Sequence, residues 1–262
     1  MNILDQIIAS KKREVALKKS IIPIKQLEQS VLFERKTNSL VRHLLNSSSG
    51  IIAEHKRRSP SKSVINQSNS VEEIVTSYEN GGASGISILT DNQYFGGSLD
   101  DLILARATTT NLPLLRKDFM VDEFQVIEAK AFGADVILLI AAVLTRDEIK
   151  KLSELAKSLQ LEVLLEIHNH EELQKSILPS LDLIGVNNRN LKTFEVNLNY
   201  SKQLAEHIPS EFIKISESGI DSAEAVSELQ QYGFKGFLMG EYFMKSENPE
   251  NEMKEFIKKL TL

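Results

Sequence analysis

The chain has 262 residues, 42% hydrophobic and 26% charged, with a net charge of −5 and a pI near 5.7. These are values of a globular protein with a large core, and the acidic balance argues against nucleic acid as a partner, whose footprint on a protein is basic. Zero cysteines exclude disulfides and thiolate catalysis, and the longest apolar run, Val136 to Leu144, has nine residues where a membrane helix needs about 20.

In the first twenty residues, Ile3, Ile7, Ile8, Val15 and Leu17 recur at helical intervals, while Lys11, Lys12 and Arg13 are offset by Asp5 and Glu14. The apolar core and small-residue cleavage site of a targeting signal are missing, so the segment reads as an amphipathic helix packed across one end of the domain. Ser47-Ser48-Ser49-Gly50 is too short for an interdomain linker and reads as a loop. Residues 1–262 are therefore expected to form one domain, with 1–48 as an N-terminal helical extension.

From Gly50 onward, apolar runs recur at 50–53, 85–89, 113–116, 135–140, 162–166, 183–186, 213–216 and 236–239. Most lack period-2 alternation, as strands covered on both faces do in a parallel sheet. Each is followed by a polar turn and a stretch of helical period. Helix starts are marked by capping-box spacing at Ser70-x-x-Glu73, Asp122-x-x-Gln125, Thr145-x-x-Glu148, Asn169-x-x-Glu172 and Asp221-x-x-Glu224. Gly81-Gly82, Gly133 and Gly233 stand where left-handed C-terminal caps would lead into the next strand. Eight alternating units predict an α/β (β/α)8 TIM barrel, with an open doubly wound sheet as the alternative.

In a barrel, all strand C-termini open on one face, and here they are rich in polar residues. The first strand ends on Glu54, Lys56 and Ser59, the third on Arg116-Lys117-Asp118-Phe119, and the fifth on Glu166. The sixth gives Asn187-Asn188-Arg189-Asn190, the seventh Ser216-Glu217-Ser218-Gly219, and the eighth Met239-Gly240-Glu241. Glu54 and Lys56 lie two apart and point to the same side, which packing alone does not require; a charged, solvated loop is the competing reading. Gly219 and Gly240 clear space for backbone amides to approach an anion, at the strand ends where barrels commonly bind phosphate, although glycine is also the ordinary turn residue.

Lys117 and Glu166 form the natural proton-transfer pair. Neighbouring cations such as Arg116 and Lys56 are expected to disfavour the ammonium, and a partly dry pocket to disfavour the carboxylate, bringing both toward neutrality. A structural ion pair at the barrel mouth is the alternative. Phe95 and Phe119 can wall an aromatic ligand or simply belong to the core. His168-Asn169-His170 lacks a third ligand, so no metal is expected. Arg57-Arg58 reads as a solvated face.

These segments, in this order, resemble the indole-3-glycerol phosphate synthases of tryptophan biosynthesis. The likeness runs from Ile3-Leu4-Asp5 through Ile52-Ala53-Glu54-His55-Lys56, Ser59-Pro60-Ser61, Ile88-Leu89-Thr90-Asp91 and Tyr94-Phe95-Gly96-Gly97-Ser98-Leu99. It continues through Arg116-Lys117-Asp118-Phe119, Leu165-Glu166-Ile167-His168, Gly185-Val186-Asn187-Asn188-Arg189-Asn190-Leu191, Ser216-Glu217-Ser218-Gly219-Ile220 and Gly240-Glu241.

The resemblance implies a cofactor-free lyase that closes 1-(2-carboxyphenylamino)-1-deoxyribulose 5-phosphate to an indole with loss of carbon dioxide and water. It implies Lys117 as general acid at the ketone oxygen and Glu166 as acid/base in dehydration, supported by Glu54 and Lys56. Asn187 and Arg189 would bind substrate, with Ser59 at the rim. Ser218, Gly219, Gly240 and Glu241 would cradle the phosphate, largely through backbone amides, and Phe95, Phe119, Leu138 and Leu191 would wall the ring. The expected partner is a phosphorylated small molecule, with no nucleic acid and no membrane. The chain is expected to act as a cytoplasmic monomer, with room for contact with other tryptophan-pathway enzymes.

Two segments depart from the family pattern. Lys62-Ser63 stands where Lys-Gly is common, and the bulky Tyr242-Phe243 stands where small residues usually follow the last strand. Two rivals remain at this point, a Schiff-base aldolase-like barrel using Lys117 and a non-catalytic phosphate-binding scaffold.

Overall fold

Each of the eight apolar runs forms a strand in the computed structural model, which describes residues 3–60, 62–66, 68–190 and 193–260. Three helices come first, α1 (Ile3–Ile21), α2 (Ile24–Glu28) and α3 (Leu40–Leu45). Strand β1 (Ile51–His55) leads to α4 (Val71–Gly81), β2 (Gly85–Leu89), the short α5 (Asn92–Phe95) and α6 (Leu99–Thr108). The alternation continues with β3 (Leu114–Lys117), α7 (Glu123–Ala131), β4 (Val136–Ile140), α8 (Arg146–Ser158), β5 (Glu162–Ile167) and α9 (His170–Ser176). It closes with β6 (Leu183–Asn187), α10 (Asn199–Ala205), β7 (Ile213–Glu217), α11 (Ala223–Gln231), β8 (Phe234–Met239), α12 (Glu241–Met244) and α13 (Pro249–Leu260). The strands are parallel, follow one another in chain order and close with β8 beside β1, giving the (β/α)8 barrel.

Strand parity decides what fills the barrel. Ile52, Leu115, Leu164 and Ile215, one from each odd-numbered strand, share a buried apolar cluster with Val136, Leu138, Leu183 and Leu238 of the even-numbered strands. Leu40 and Leu44 of α3 belong to the same cluster and plug the base. Two residues further along the odd strands, the same side of the chain carries Glu54, Lys117, Glu166 and Glu217. The apolar interior thus gives way to charge in a single step toward the mouth.

The N-terminal extension runs the height of the barrel. At the mouth, Ile3, Leu4 and Ile7 of α1 line the cavity, and further down Lys18 and Lys19 pair with Glu128 and Asp122 beside α7. At the base, Arg35 binds Asp135 at 2.7 Å before α3 inserts its leucines. Buried Lys11 fixes the helix, with Nζ 3.0 Å from both Asp91 Oδ2 and Asp118 Oδ1.

Local capping chemistry places the helices. Ser70 with Glu73 and Thr145 with Glu148 form complete capping boxes. Asn169 caps α9, but Glu172 turns its carboxylate back to the His168 amide, at 2.8 Å. Asp122 caps α7 through the Phe124 amide, while Gln125 ties down the preceding loop. The start expected at Asp221 is corrected: Ser222 is the cap, accepting from the Ala225 amide. Two successive left-handed residues, Ser218 (φ +68°) and Gly219 (φ +78°), carry the chain past Asp221 before α11 begins.

Candidate active site

At the C-terminal end of the barrel lies a cavity of about 570 Å³. Its wall contains Glu54, Lys56, Ser59, Phe95, Lys117, Phe119, Leu138, Glu166, Asn187, Arg189, Ser218, Gly219, Gly240 and Glu241, residues that are far apart in the chain. Leu191 and Ser61 lie outside the described residues. One part of the cavity is apolar, with the Phe95 and Phe119 rings 6.0 Å apart between centroids and tilted by 40°, and with Ile3, Leu4 and Ile7 contributed by α1.

The interior is a layer of charge. Lys117 Nζ donates to Glu217 Oε2 and lies 3.4 Å from Glu166 Oε2, while Lys56 pairs with Glu54. Burial alone would lower the Lys117 pKa, but the charges of Glu217, Glu166 and Glu54 outweigh it and raise it well above the usual lysine range. The expected loss of the ammonium is therefore corrected. Arg116, its neighbour in sequence, points to the other side of β3, where it binds Glu128 at 2.9 Å and Asp118 at 3.0 Å.

Glu166 is corrected in the same way. Burial pushes its pKa up, but Lys117, His168 and a hydrogen bond from Asn187 bring it below the ordinary value. The group that comes near neutrality is Glu217, raised to about 7 because burial outweighs the opposing charge of Lys117, with Glu166 and Glu54 adding repulsion. Lys117 and Lys56 stand against three carboxylates, so one carboxyl in the layer binds a proton readily. Gly185 makes room for it, since a Cβ there would collide with Glu217 Oε1.

Glu217 is the member that the sequence reading passed over. Sequence alone places it at the end of the seventh strand and gives it no role, yet it is the last inward-facing position of an odd-numbered strand, as Lys117 and Glu166 are. That parity was the available signal. The apolar contribution of α1 was also missed, because helical periodicity reveals a buried face without revealing which end of the barrel it covers.

The two expected glycines have packing roles as well. A Cβ on Gly240 would come 2.7 Å from Glu54 Oε1, and one on Gly219 would strike Val196. Partial burial pushes the Glu241 carboxyl up, but hydrogen bonds from Lys245 and Lys62 hold it well below the usual range. Lys62 is held by a small bridge, its amide donating to Ser59 O at 3.0 Å and Ser59 N donating back at 2.8 Å. Of the bulky residues beyond β8, Phe243 is fully buried against Tyr78 and Phe256, and Tyr242 donates to Glu252 at 2.8 Å. Phe243 thus packs toward the outer helices α4 and α13, whereas Tyr242, tied to α13, also lines the cavity.

Arg57 and Arg58 are not a solvated face. Arg57 grips Asp101 at 2.5 and 2.9 Å, and Arg58 donates to the carbonyls of Asn92 and Gln93 at 2.7 and 3.2 Å. They brace the loop after β1 against α5 and α6. His168 stands between two carboxylates, and His170 packs edge-on against His207 with ring centroids 4.5 Å apart.

A family model described as indole-3-glycerol phosphate synthase matches residues 4–256. An indole-3-glycerol phosphate synthase of Bacteroides thetaiotaomicron is 49% identical over 257 residues, 98% of each chain. One of Aliarcobacter butzleri is 40% identical over 258 residues, covering 97% of this chain and 98% of its own. Among solved structures, 3-hexulose-6-phosphate synthase from Salmonella typhimurium superposes with a TM-score of 0.64 at 12% identity, over 81% of this chain and 98% of that one. This last likeness is one of fold.

Proposed function

The chain belongs to the indole-3-glycerol phosphate synthase family, and on that premise we propose that Lys117 and Glu166, with Glu217 between their roles, carry the proton transfers of its reaction. The activity is that of a carboxy-lyase of tryptophan biosynthesis. In it, 1-(2-carboxyphenylamino)-1-deoxyribulose 5-phosphate closes to indole-3-glycerol phosphate with loss of carbon dioxide and water.

The ring carbon that bears the carboxylate attacks the ketone carbon. The carbonyl electrons move to oxygen, which takes a proton from the Lys117 ammonium, and the arylamine nitrogen becomes an iminium. Carbon dioxide then leaves, its bonding pair flowing into the iminium. Departure of the new hydroxyl as water needs an acid, and loss of a proton from the carbon beside nitrogen needs a base. Glu166, ionised and 3.4 Å from Lys117, suits the base. Glu217, poised near neutrality and hydrogen-bonded to Lys117, can reload the lysine with a proton.

The remaining wall fits the other parts of this substrate. Phe95, Phe119 and Leu138 offer an apolar slot for the aryl ring, with Leu191 assigned there by the resemblance. Glu54 and Lys56 form a balanced pair beside the acid and base, leaving Lys56 able to meet the substrate carboxylate. Asn187 and Arg189 are assigned to the sugar chain, and Ser218, Gly219, Gly240 and Glu241 to the phosphate, with Ser59 at the rim. All these side chains come from one chain, which supports action as a monomer. Among the described residues, no helix is long and apolar enough to cross a membrane.

The observation that carries this reading is the Lys117 ammonium, held among carboxylates at the edge of an aromatic slot. A Schiff-base role requires the neutral amine, which those carboxylates disfavour. Adding the carboxyphenylamino substrate to folded protein should produce the fluorescence of the indole product, and borohydride added during turnover should leave Lys117 unmodified. Folded protein that gives no signal would favour a phosphate-binding scaffold, and a covalent adduct on Lys117 would favour the aldolase-like chemistry.

A further inference from the structure

Glu166 has two oxygens, and each faces a different basic group. Oε2 lies 3.4 Å from Lys117 Nζ, and Oε1 lies 3.6 Å from Nε2 of His168. The other imidazole nitrogen, Nδ1, is 3.2 Å from Glu172 Oε2. That same Glu172 oxygen accepts the His168 backbone amide at 2.8 Å, and Oε1 accepts from Asn169 Nδ2 at 3.1 Å. The ring is therefore fixed by the first turn of α9, and its side chain is only 13% exposed.

An ionised carboxylate can only accept hydrogen bonds. Of the two ring nitrogens only Nδ1 is hydrogen-bonded, to Glu172, while Nε2 is buried with no hydrogen-bond partner among the described residues and faces Glu166 at ion-pair distance. That setting favours the imidazolium, because either neutral tautomer turns a lone pair toward one of the two carboxylates. Burial alone would lower the His168 pKa, but Glu172, Glu166 and Glu217 raise it above the ordinary value. The charged groups around the ring are thus Glu166 near the end of β5, Glu172 from α9 and Glu217 from β7, with Lys117 of β3 on the other oxygen of Glu166.

We propose that His168 is a positioning residue for the reaction: clamped by Glu172, its imidazolium orients the Glu166 carboxylate and gives it a second cation, so that Glu166 stays ionised while Lys117 parts with its proton. This rests on Glu166 acting as the base. Without His168, the base would lose its remaining counter-charge at the step that spends the lysine proton.

The test combines kinetics with an observable that does not depend on turnover. In His168→Gln, which keeps an amide donor but no charge, kcat should fall about tenfold with KM within about twofold, and the acid limb of the kcat profile should move to higher pH. Glu172→Gln should shift the same limb in the same direction by less; it keeps an acceptor for the His168 amide and so reports even if the histidine variant folds poorly. Imidazole nitrogen NMR on the intact enzyme should show His168 titrating above 6.5, and lower in Glu166→Gln. A His168 that titrates at or below 6.5, or a pH profile unchanged in both variants, would overturn the proposal. An active Glu166→Gln enzyme would instead remove Glu166 as the base, and the positioning role with it, while leaving the imidazole titration as found.

Discussion

At the base of the barrel, Asp135 accepts from Arg35 at 2.7 Å and from the Asn38 amide at 2.8 Å through one oxygen, and from Arg106 and the Leu114 amide, both at 2.8 Å, through the other. At the mouth, Glu217 shares one oxygen with Lys117, and its other, Oε1, is buried with no hydrogen-bond partner among the described residues. Both side chains are buried, but Glu217 lines the cavity and Asp135 does not. Asp135 stands against two arginines, and both of its oxygens accept two hydrogen bonds each. Glu217 belongs to a layer in which carboxylates outnumber cations, so a proton there is easily gained or lost. Closed charge clusters hold the fold, and open ones provide chemistry.

The comparison can be broken most sharply at Lys117. Lys117→Ala should lower kcat by about a thousandfold, in the range that loss of a general acid produces, with substrate binding changed only a few-fold. Near-normal turnover would reduce the mouth cluster to an ion pair like the one at the base.

The converse test is Asp135→Asn. It leaves a buried amide facing donors that need an acceptor and should cost about 3 kcal/mol of stability, with kcat and KM close to the parent's well below the melting temperature. Chemical denaturation together with steady-state kinetics would check both halves. A large loss of kcat without loss of stability would contradict the division between the two ends.

The smallest effect expected is in the pH dependence of stability. A carboxyl whose folded pKa is raised from 4.5 to about 7 binds its proton more tightly in the folded state. That preference favours the fold below the unfolded value and is lost as pH rises through the folded one, so ionisation of Glu217 costs stability above neutrality. Glu217→Gln should therefore gain stability relative to the parent between roughly pH 5 and pH 8, by on the order of 2 kcal/mol. Parallel stability curves for the two proteins would show that the carboxyl at the mouth has no such preference for its proton.

Much of this was legible in the chain because buried parallel strands must be apolar runs, and because charge at their C-terminal ends serves no packing purpose. Lys117 and Glu166 stood out for that reason. What was misread came from treating neighbours in sequence as neighbours in space. Arg116 precedes Lys117 but, on a strand, faces the opposite side and binds Glu128, while the groups that set the lysine's charge come from β1, β5 and β7. By spacing Asp221-x-x-Glu224 has the acid that a capping box needs and Ser222-x-x-Ala225 does not, yet after the left-handed turn at Ser218 and Gly219 the helix is capped by Ser222. The position of α1 was likewise beyond periodicity, since it depends on Lys11 finding Asp91 and Asp118 at the mouth.

The central claim is that Lys117 is kept as an ammonium by the carboxylates around it and serves as a proton donor. Nitrogen NMR of labelled lysine side chains, with the Lys117 signal assigned from Lys117→Ala, reads that charge directly. The account predicts an Nζ resonance that stays at its ammonium position from neutral pH to beyond about pH 10. An Nζ that titrates near neutrality, as a nucleophilic lysine does, would contradict it.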